Sequence, residues 1–257
     1  MITIDIENVK KINDTSNFNK IAYIYEEVRP LEPLVLDKVA SILDMQKNQS
    51  ILDIGCGTGV DLKYLEEKYK IEPFGIDKSH KMVNKALLNI GKNITCVDAI
   101  KYIQNSEKKF HSIYFKLSLH HFLNQQQILI DTFNMTNKVA IVSIHPSQVN
   151  KWILTKYFPT LKEKMLSFSE KQLNIIESFP NNLNIKWQKI DCILQEEFYT
   201  STLINSIKQN YVSFFKYVPS SELNHGLLKL KKDIINEVLP TTKMILGTIY
   251  YGERKNS

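Results

Sequence analysis

Three aspartates, Asp53, Asp77 and Asp98, recur at strand-and-helix intervals, and the first opens the run Asp53-Ile54-Gly55-Cys56-Gly57-Thr58-Gly59. Glycine at every second position lets a chain turn tightly and bring backbone close to a ligand. The spacing argues against a pyrophosphate. The pattern G-x-G-x-x-G would need glycine at position 60, which is Val60, and no Gly-Lys-Ser/Thr phosphate loop occurs. An acid at a strand end just before the glycines suits a ligand with a cationic amino group. Further along, His120-His121 offers imidazoles able to act as a general base near neutral pH. Upstream, Tyr25 and Arg29 could clamp a ligand carboxylate or an acidic substrate, although Arg29 fits a surface ion pair equally well.

These residues must be delivered to one edge by regular elements. QSILDI, EPFGID, NITCVDA, FHSIYFKLSL and NKVAIVSIHP read as five strands, ending near Asp53, Asp77, Asp98, His120-His121 and Pro146. VDLKYLEEKYK, HKMVNKALLNI and NQQQILIDTFNM between them have helical character, and Ser79 is placed to cap the second. Alternation across residues 50–146 predicts an α/β fold with a doubly wound parallel sheet, whose ligands bind outside the strands' carboxyl ends. Before it, Phe18, Ile21, Ala22, Tyr25 and Val28 share one helical face until Arg29-Pro30. After it, residues 147–179 and 196–238 read as helical, with a strand, NIKWQKIDCIL, between them and a closing strand, KMILGTIYYGE. The partition expected is therefore a lid helix over 1–35 and a ligand-binding core over 36–146. A helical cap follows over 147–245, interrupted by one core strand at about 184–194, then a final strand and tail over 246–257.

At 257 residues the chain suits one domain with a subsidiary element. Its 43% hydrophobic and 23% charged content is ordinary globular usage, which argues against disorder or a fibre. The net charge of +6 invites an acidic partner. Among the 33 basic residues, however, only Arg29 and Arg254 are arginine. Nucleic-acid readers favour guanidinium forks, so a solvated lysine surface is the simpler reading. Cys56, Cys96 and Cys192 make no paired spacing, and no His/Asp/Glu cluster has ligand spacing, so neither a disulfide framework nor a metal is expected. The N-terminus lacks a basic start followed by an apolar core, and no apolar run approaches membrane length, which predicts a cytoplasmic chain without membrane contact.

The acid followed by G-x-G-x-G resembles the S-adenosylmethionine (SAM) site of class I methyltransferases. Asp77 and Asp98 stand where that family places its ribose and adenine acids. KLSLHHF (Lys116 to Phe122) and the lead-in Phe18, Ala22, Tyr25, Arg29-Pro30 resemble the trans-aconitate and ubiquinone-type small-molecule branch. The resemblance implies a Rossmann-like sheet, mostly parallel with a C-terminal antiparallel strand, plus helical cap insertions. It also implies SAM as cofactor and S-adenosylhomocysteine (SAH) as product. On it, Asp53, Gly55, Cys56, Gly57, Thr58 and Gly59 surround the amino-acid tail, while Asp77 with Lys78 serves the ribose. Asp98 with Ala99 serves the adenine, and Leu117, Tyr25 and Arg29 complete the cofactor site. His121, His120 and Tyr25 become the catalytic candidates. Phe110-His111 departs from the acid often found before the fourth strand, and Lys78 replaces a residue that is commonly apolar; its aliphatic stem could cover adenine with the head in solvent.

The activity expected is methyl transfer to oxygen or nitrogen of a small molecule, secondary metabolites included. Methylation of a peptide or RNA and non-catalytic SAM binding stand as alternatives, and a nicotinamide dehydrogenase is disfavoured by the glycine spacing. His120 and His121 equally fit packing or backbone contacts at a helix start. Cys56 reads as a small spacer. The aromatic residues Trp152, Tyr157, Phe158, Tyr199, Tyr211, Phe214, Phe215 and Tyr217 read mainly as core, with some lining a cavity. Monomer and homodimer are both open.

Overall fold

The computed structural model describes residues 16–28, 31–209 and 212–255. Seven strands, β1 (Ser50–Ile54), β2 (Glu72–Asp77), β3 (Ile94–Cys96), β4 (Ser112–Lys116), β5 (Lys138–Ser143), β6 (Ile185–Phe198) and β7 (Thr242–Arg254), form one sheet. Their order is β3-β2-β1-β4-β5-β7-β6. Pairs among β1 to β5 are parallel, and β7 runs antiparallel to both of its neighbours. The N-terminal helices are α1 (Ser16–Ile21), α2 (Tyr25–Val28) and α3 (Pro33–Ile42). Then come α4 (Val60–Tyr69), α5 (His80–Ile90), α6 (Ala99–Asn105) and α7 (Gln125–Thr132). Beyond β5 lie α8 (Pro146–Val149), α9 (Pro159–Glu177), α10 (Ser201–Lys208) and α11 (Ser220–Ile235).

Side chains in a strand alternate between faces, and helices cover both faces here, so each parity builds its own core. Ile51, Tyr114, Ala140, Val142 and Ile249 join a cluster containing Val35, Leu36, Val39, Leu62 and Leu65 from α3 and α4. Leu52, Ile54, Ile113, Phe115 and Ile141 point the other way, to Ile103, Ile128, Leu129 and Phe133. The strand order reverses between β1 and β4. That is the switch point at which an open α/β sheet leaves a crevice, and the glycine run emerges there.

Several boundaries differ from expectation. The lead-in segment is not one helix: a 3-10 turn at Ala22–Ile24 separates α1 from α2. The tighter winding keeps Phe18, Ile21, Ala22 and Tyr25 together against Met82 of α5. β3 stops at Cys96, and Asp98 instead caps α6 by accepting the Ile100 N–H at 3.0 Å. β4 stops at Lys116, where Leu117 takes φ +53° and a 3-10 turn at Leu119–His121 begins. β6 continues past 194 to Phe198, and β7 starts at Thr242 rather than 246. The two strands pair along their whole length, Phe198 opposite Thr242, despite a bulge between Ile193 and Gln195. Phe214 and Phe215 lie in a 3-10 turn (Ser213–Tyr217), not an α-helix, and Tyr211 falls outside the described residues. Among the described residues no helix is long and apolar enough to cross a membrane.

Candidate functional site

Backbone geometry builds the site's floor. The N–H groups of Gly55 and Cys56 both donate to the Ile76 carbonyl, at 2.8 and 3.0 Å, which ties the turn after β1 to the end of β2. Gly55 has φ +87°, and a Cβ there would lie 2.6 Å from Ser118 Cβ, so this position requires glycine on both conformational and steric grounds. The Ser118 hydroxyl donates to the Ile54 carbonyl and draws the turn after β4 onto the loop. Gly59, at φ +76°, is the N-cap of α4; it shapes the turn and is not among the residues facing the cavity.

Asp77, at the end of β2, accepts the Gly57 N–H on Oδ2 at 3.0 Å and the Ser79 N–H on Oδ1 at 2.7 Å. Its carboxylate is thereby fixed in orientation while each oxygen retains acceptor capacity. Burial raises its pKa above the usual carboxylate range, opposed by the N–H groups of Ser79, Gly57 and Lys78. Ser79 caps α5, accepting the Met82 N–H at 3.3 Å. Lys78 is exposed, and its Nζ also lies 3.2 Å from Asp98 Oδ2, an opposite charge within reach of its long stem.

Asp53 and Tyr114 are register partners on neighbouring strands and share a face. Asp53 is 2% exposed, and its carboxylate shares this buried face with the Tyr114 hydroxyl. Burial, reinforced by the charge of Asp61, pushes the Asp53 carboxyl well up, with Tyr114 and Lys116 pulling against it. Burial also raises the Cys56 thiol well above its usual range, and the charges of Asp53 and Asp77 add to this. Cys56 is therefore a protonated packing residue, not a nucleophile.

One group of charges was missed in the sequence. Lys116, two residues beyond Tyr114 and on the same face, meets Glu32 Oε2 at 2.9 Å and Asp61 Oδ2 at 3.0 Å. All three side chains are at most 15% exposed. Burial alone would lower the Lys116 pKa, but the two carboxylates outweigh it and raise it, so the ammonium persists. The signal in the sequence was a lysine ending an otherwise apolar strand.

A cavity of about 230 Å3 gathers these groups. Asp53, Gly55, Cys56, Gly57, Thr58, Asp77, Lys78, Asp98, Ala99, Leu117, His120, His121 and Tyr25 all line it. Arg29 lies outside the described residues. His121 meets Phe18 edge-on at 5.3 Å, and His120 stacks on Phe214 at 5.2 Å, so the two imidazoles bridge the N-terminal segment and the region beyond β5. His145 is not in the wall; its Nδ1 lies 2.8 Å from Ser147 Oγ and caps α8. Sequence reasoning also did not single out Met165, Leu194, Val212 and Ile245, which line the far side. Their spacing marks them only as apolar. Among the described residues no group of three or more His, Cys, Asp or Glu could hold a metal ion.

Comparison with known proteins bears on this arrangement. A family model described as a methyltransferase domain matches residues 26–176, more than half of the chain. A protein of Anabaena variabilis described as a methyltransferase from an antibiotic biosynthesis pathway superposes with a TM-score of 0.66 at 17% identity. That match covers 84% of this chain and 95% of the other. The plantazolicin methyltransferase BamL, solved with a triazolic desmethylPZN analog and SAH, gives 0.57 at 16% identity, covering 96% of each chain. A phosphoethanolamine N-methyltransferase of Haemonchus contortus, solved with phosphomonomethylethanolamine and SAH, gives 0.55 at 14% identity, over 93% of this chain and 58% of that one. At such identities the likeness is one of fold. No curated protein matches the sequence.

Proposed function

The chain belongs to the methyltransferase-domain family, and from that premise we propose that it transfers a methyl group from SAM to an oxygen or nitrogen of a small-molecule acceptor. The observation that carries the reading is the convergence of Asp53, Asp77, Asp98 and the glycine loop on one cavity. SAM is an adenosine with two ribose hydroxyls, an amino-acid tail and a fixed positive charge, and the residues present fit each part. Asp77, held by two backbone N–H groups, accepts from the ribose hydroxyls. Asp98 would receive the adenine amino group, and Ala99 and the Lys78 stem, which line the same part of the cavity, would pack against the base. Asp53, Asp61, Glu32 and Lys116, which line the cavity beside the glycine loop, would hold the zwitterionic tail. The buried carboxylate of Asp53 at this edge supplies a further acceptor for the tail's ammonium.

When bound, SAM supplies an electrophilic methyl whose S–C bond breaks as a C–O or C–N bond forms, leaving SAH. The protein's part is to align and exclude water, and to hold the acceptor's proton where one is lost. His121 is assigned that proton, with His120 ordering it from a ring-centroid distance of 4.0 Å. Tyr25 closes the wall near Gly57. Residues 16–28 act as a lid, seated on α5 through Ile21, Ala22 and Met82. The lead-in segment and KLSLHHF support placing the chain in the trans-aconitate and ubiquinone-type branch.

Calorimetry tests the assignment. Asp77→Ala is expected to weaken SAM binding about 100-fold, because buried hydroxyls lose their acceptor. His121→Ala is expected to slow turnover while SAM affinity stays within about twofold. Unchanged SAM affinity in Asp77→Ala would overturn the site.

A further inference from the structure

The cavity wall divides by position along the chain. Among the described residues every carboxylate in it comes from before Leu117: Glu32, Asp53, Asp61, Asp77 and Asp98. Beyond residue 146 the described part of the wall is Trp152, Met165, Leu194, Val212, Phe214 and Ile245, with Ser213 and Lys216. Five of those six apolar residues are at most 8% exposed, and they come from separate elements: the turn before Ile153–Lys156, α9, β6, the segment at 212–214 and β7. A wall collected from so many elements is a built surface. Lys216 is exposed, with its Nζ 5.0 Å from the Tyr217 ring.

Resting on the SAM reading, we infer that the acceptor is an uncharged molecule presenting an aromatic ring, with its hydroxyl or ring N–H directed at His120 and His121. The cofactor consumes the acidic half of the cavity, so the acceptor meets the apolar half. A phosphate or carboxylate there would lose its hydration shell to Met165, Leu194, Val212 and Ile245, with no buried cation among the described residues of that half in exchange. An aromatic ring instead finds Trp152 and Phe214, where offset and edge contacts add to simple burial. The imidazoles sit on the boundary between the halves: His120 touches Phe214 while His121 touches Phe18 of the lid.

The test is calorimetry on the full chain saturated with SAH, using 2-naphthol as the aromatic probe and phosphoethanolamine as the charged one. Wild type is expected to bind 2-naphthol at least tenfold more tightly than phosphoethanolamine. Phe214→Ala, at a half-buried position that should tolerate truncation, is expected to weaken 2-naphthol about tenfold and leave SAH affinity within twofold. Leu228→Ala, on the exposed face of α11 and away from the cavity, should retain both. Preference for phosphoethanolamine, or 2-naphthol binding unaltered in Phe214→Ala, overturns the inference. So does an SAH-binding protein that takes up no 2-naphthol at millimolar concentration, which would leave the cofactor reading standing. Failure to bind SAH at all would instead strike the cofactor reading.

Discussion

Replacing Lys116 with methionine should unfold the protein more readily than almost any other single change in the cavity. Its side chain is 12% exposed, and the carboxylates it holds, Glu32 and Asp61, are 6% and 15% exposed. Methionine fills a similar volume, so lost packing is small and the effect is electrostatic: two carboxylates are stranded in a poorly hydrated site, with Asp53 nearby. Removing one partner of a buried ion pair costs about 3–5 kcal/mol, a large share of a typical total of about 5–15 kcal/mol. At about 2–4 °C per kcal/mol for a chain of this size, Tm should fall by about 6–20 °C. Urea unfolding without SAM, followed by circular dichroism, should show a lower midpoint at unchanged slope. The triple variant Lys116→Met, Glu32→Leu, Asp61→Leu should regain most of the loss, since an apolar replacement of a whole buried cluster is often neutral. A Lys116→Met protein within about 0.5 kcal/mol of wild type would refute the argument, as would a triple variant no more stable than the single one.

Asp53→Asn should stabilise the protein without cofactor by about 1–3 kcal/mol near neutral pH while weakening SAM binding. The raised carboxyl means the folded state holds its proton more tightly than the unfolded chain, so the burden of Asp53 is absent below its ordinary value of 3.8 and grows as pH rises through the window above it. The gap between variant and wild type should widen from pH 4 upward, and a gap that narrows would reverse the sign. Gly55→Ala should cost about 1–3 kcal/mol and loosen SAM binding, from positive φ and the approach of Ser118 together; thermal melts with and without SAH check both. The size of the SAM-affinity loss in Asp77→Ala, and its absence in His121→Ala, separate binding from turnover as described above.

The alternating strands, the glycine loop and the three acids were legible in the sequence because each rests on local physics. Apolar runs bounded by turns are strands, glycine serves positive φ at Gly55, Gly57 and Gly59, and an acid at a strand end, or just past it as at Asp98, lands at the sheet's carboxyl edge. The Ser79 cap was readable for the same reason. Other features depended on chain distant in sequence. The true lengths of β6 and β7 follow from their pairing with each other, and the 3-10 turn in the lid follows from packing on Met82. Lys116 was one more surface-type lysine until the parity of β4 turned it toward Glu32 and Asp61, which enter from α4 and the start of α3. The apolar half of the cavity was likewise unreadable, since Met165, Leu194 and Ile245 look like any core residue on their own elements. Local backbone chemistry thus specified where the acidic edge of the cavity forms, whereas long-range packing decided which charges and which apolar walls meet there, because side-chain neighbours across elements exist only once the sheet's register is set.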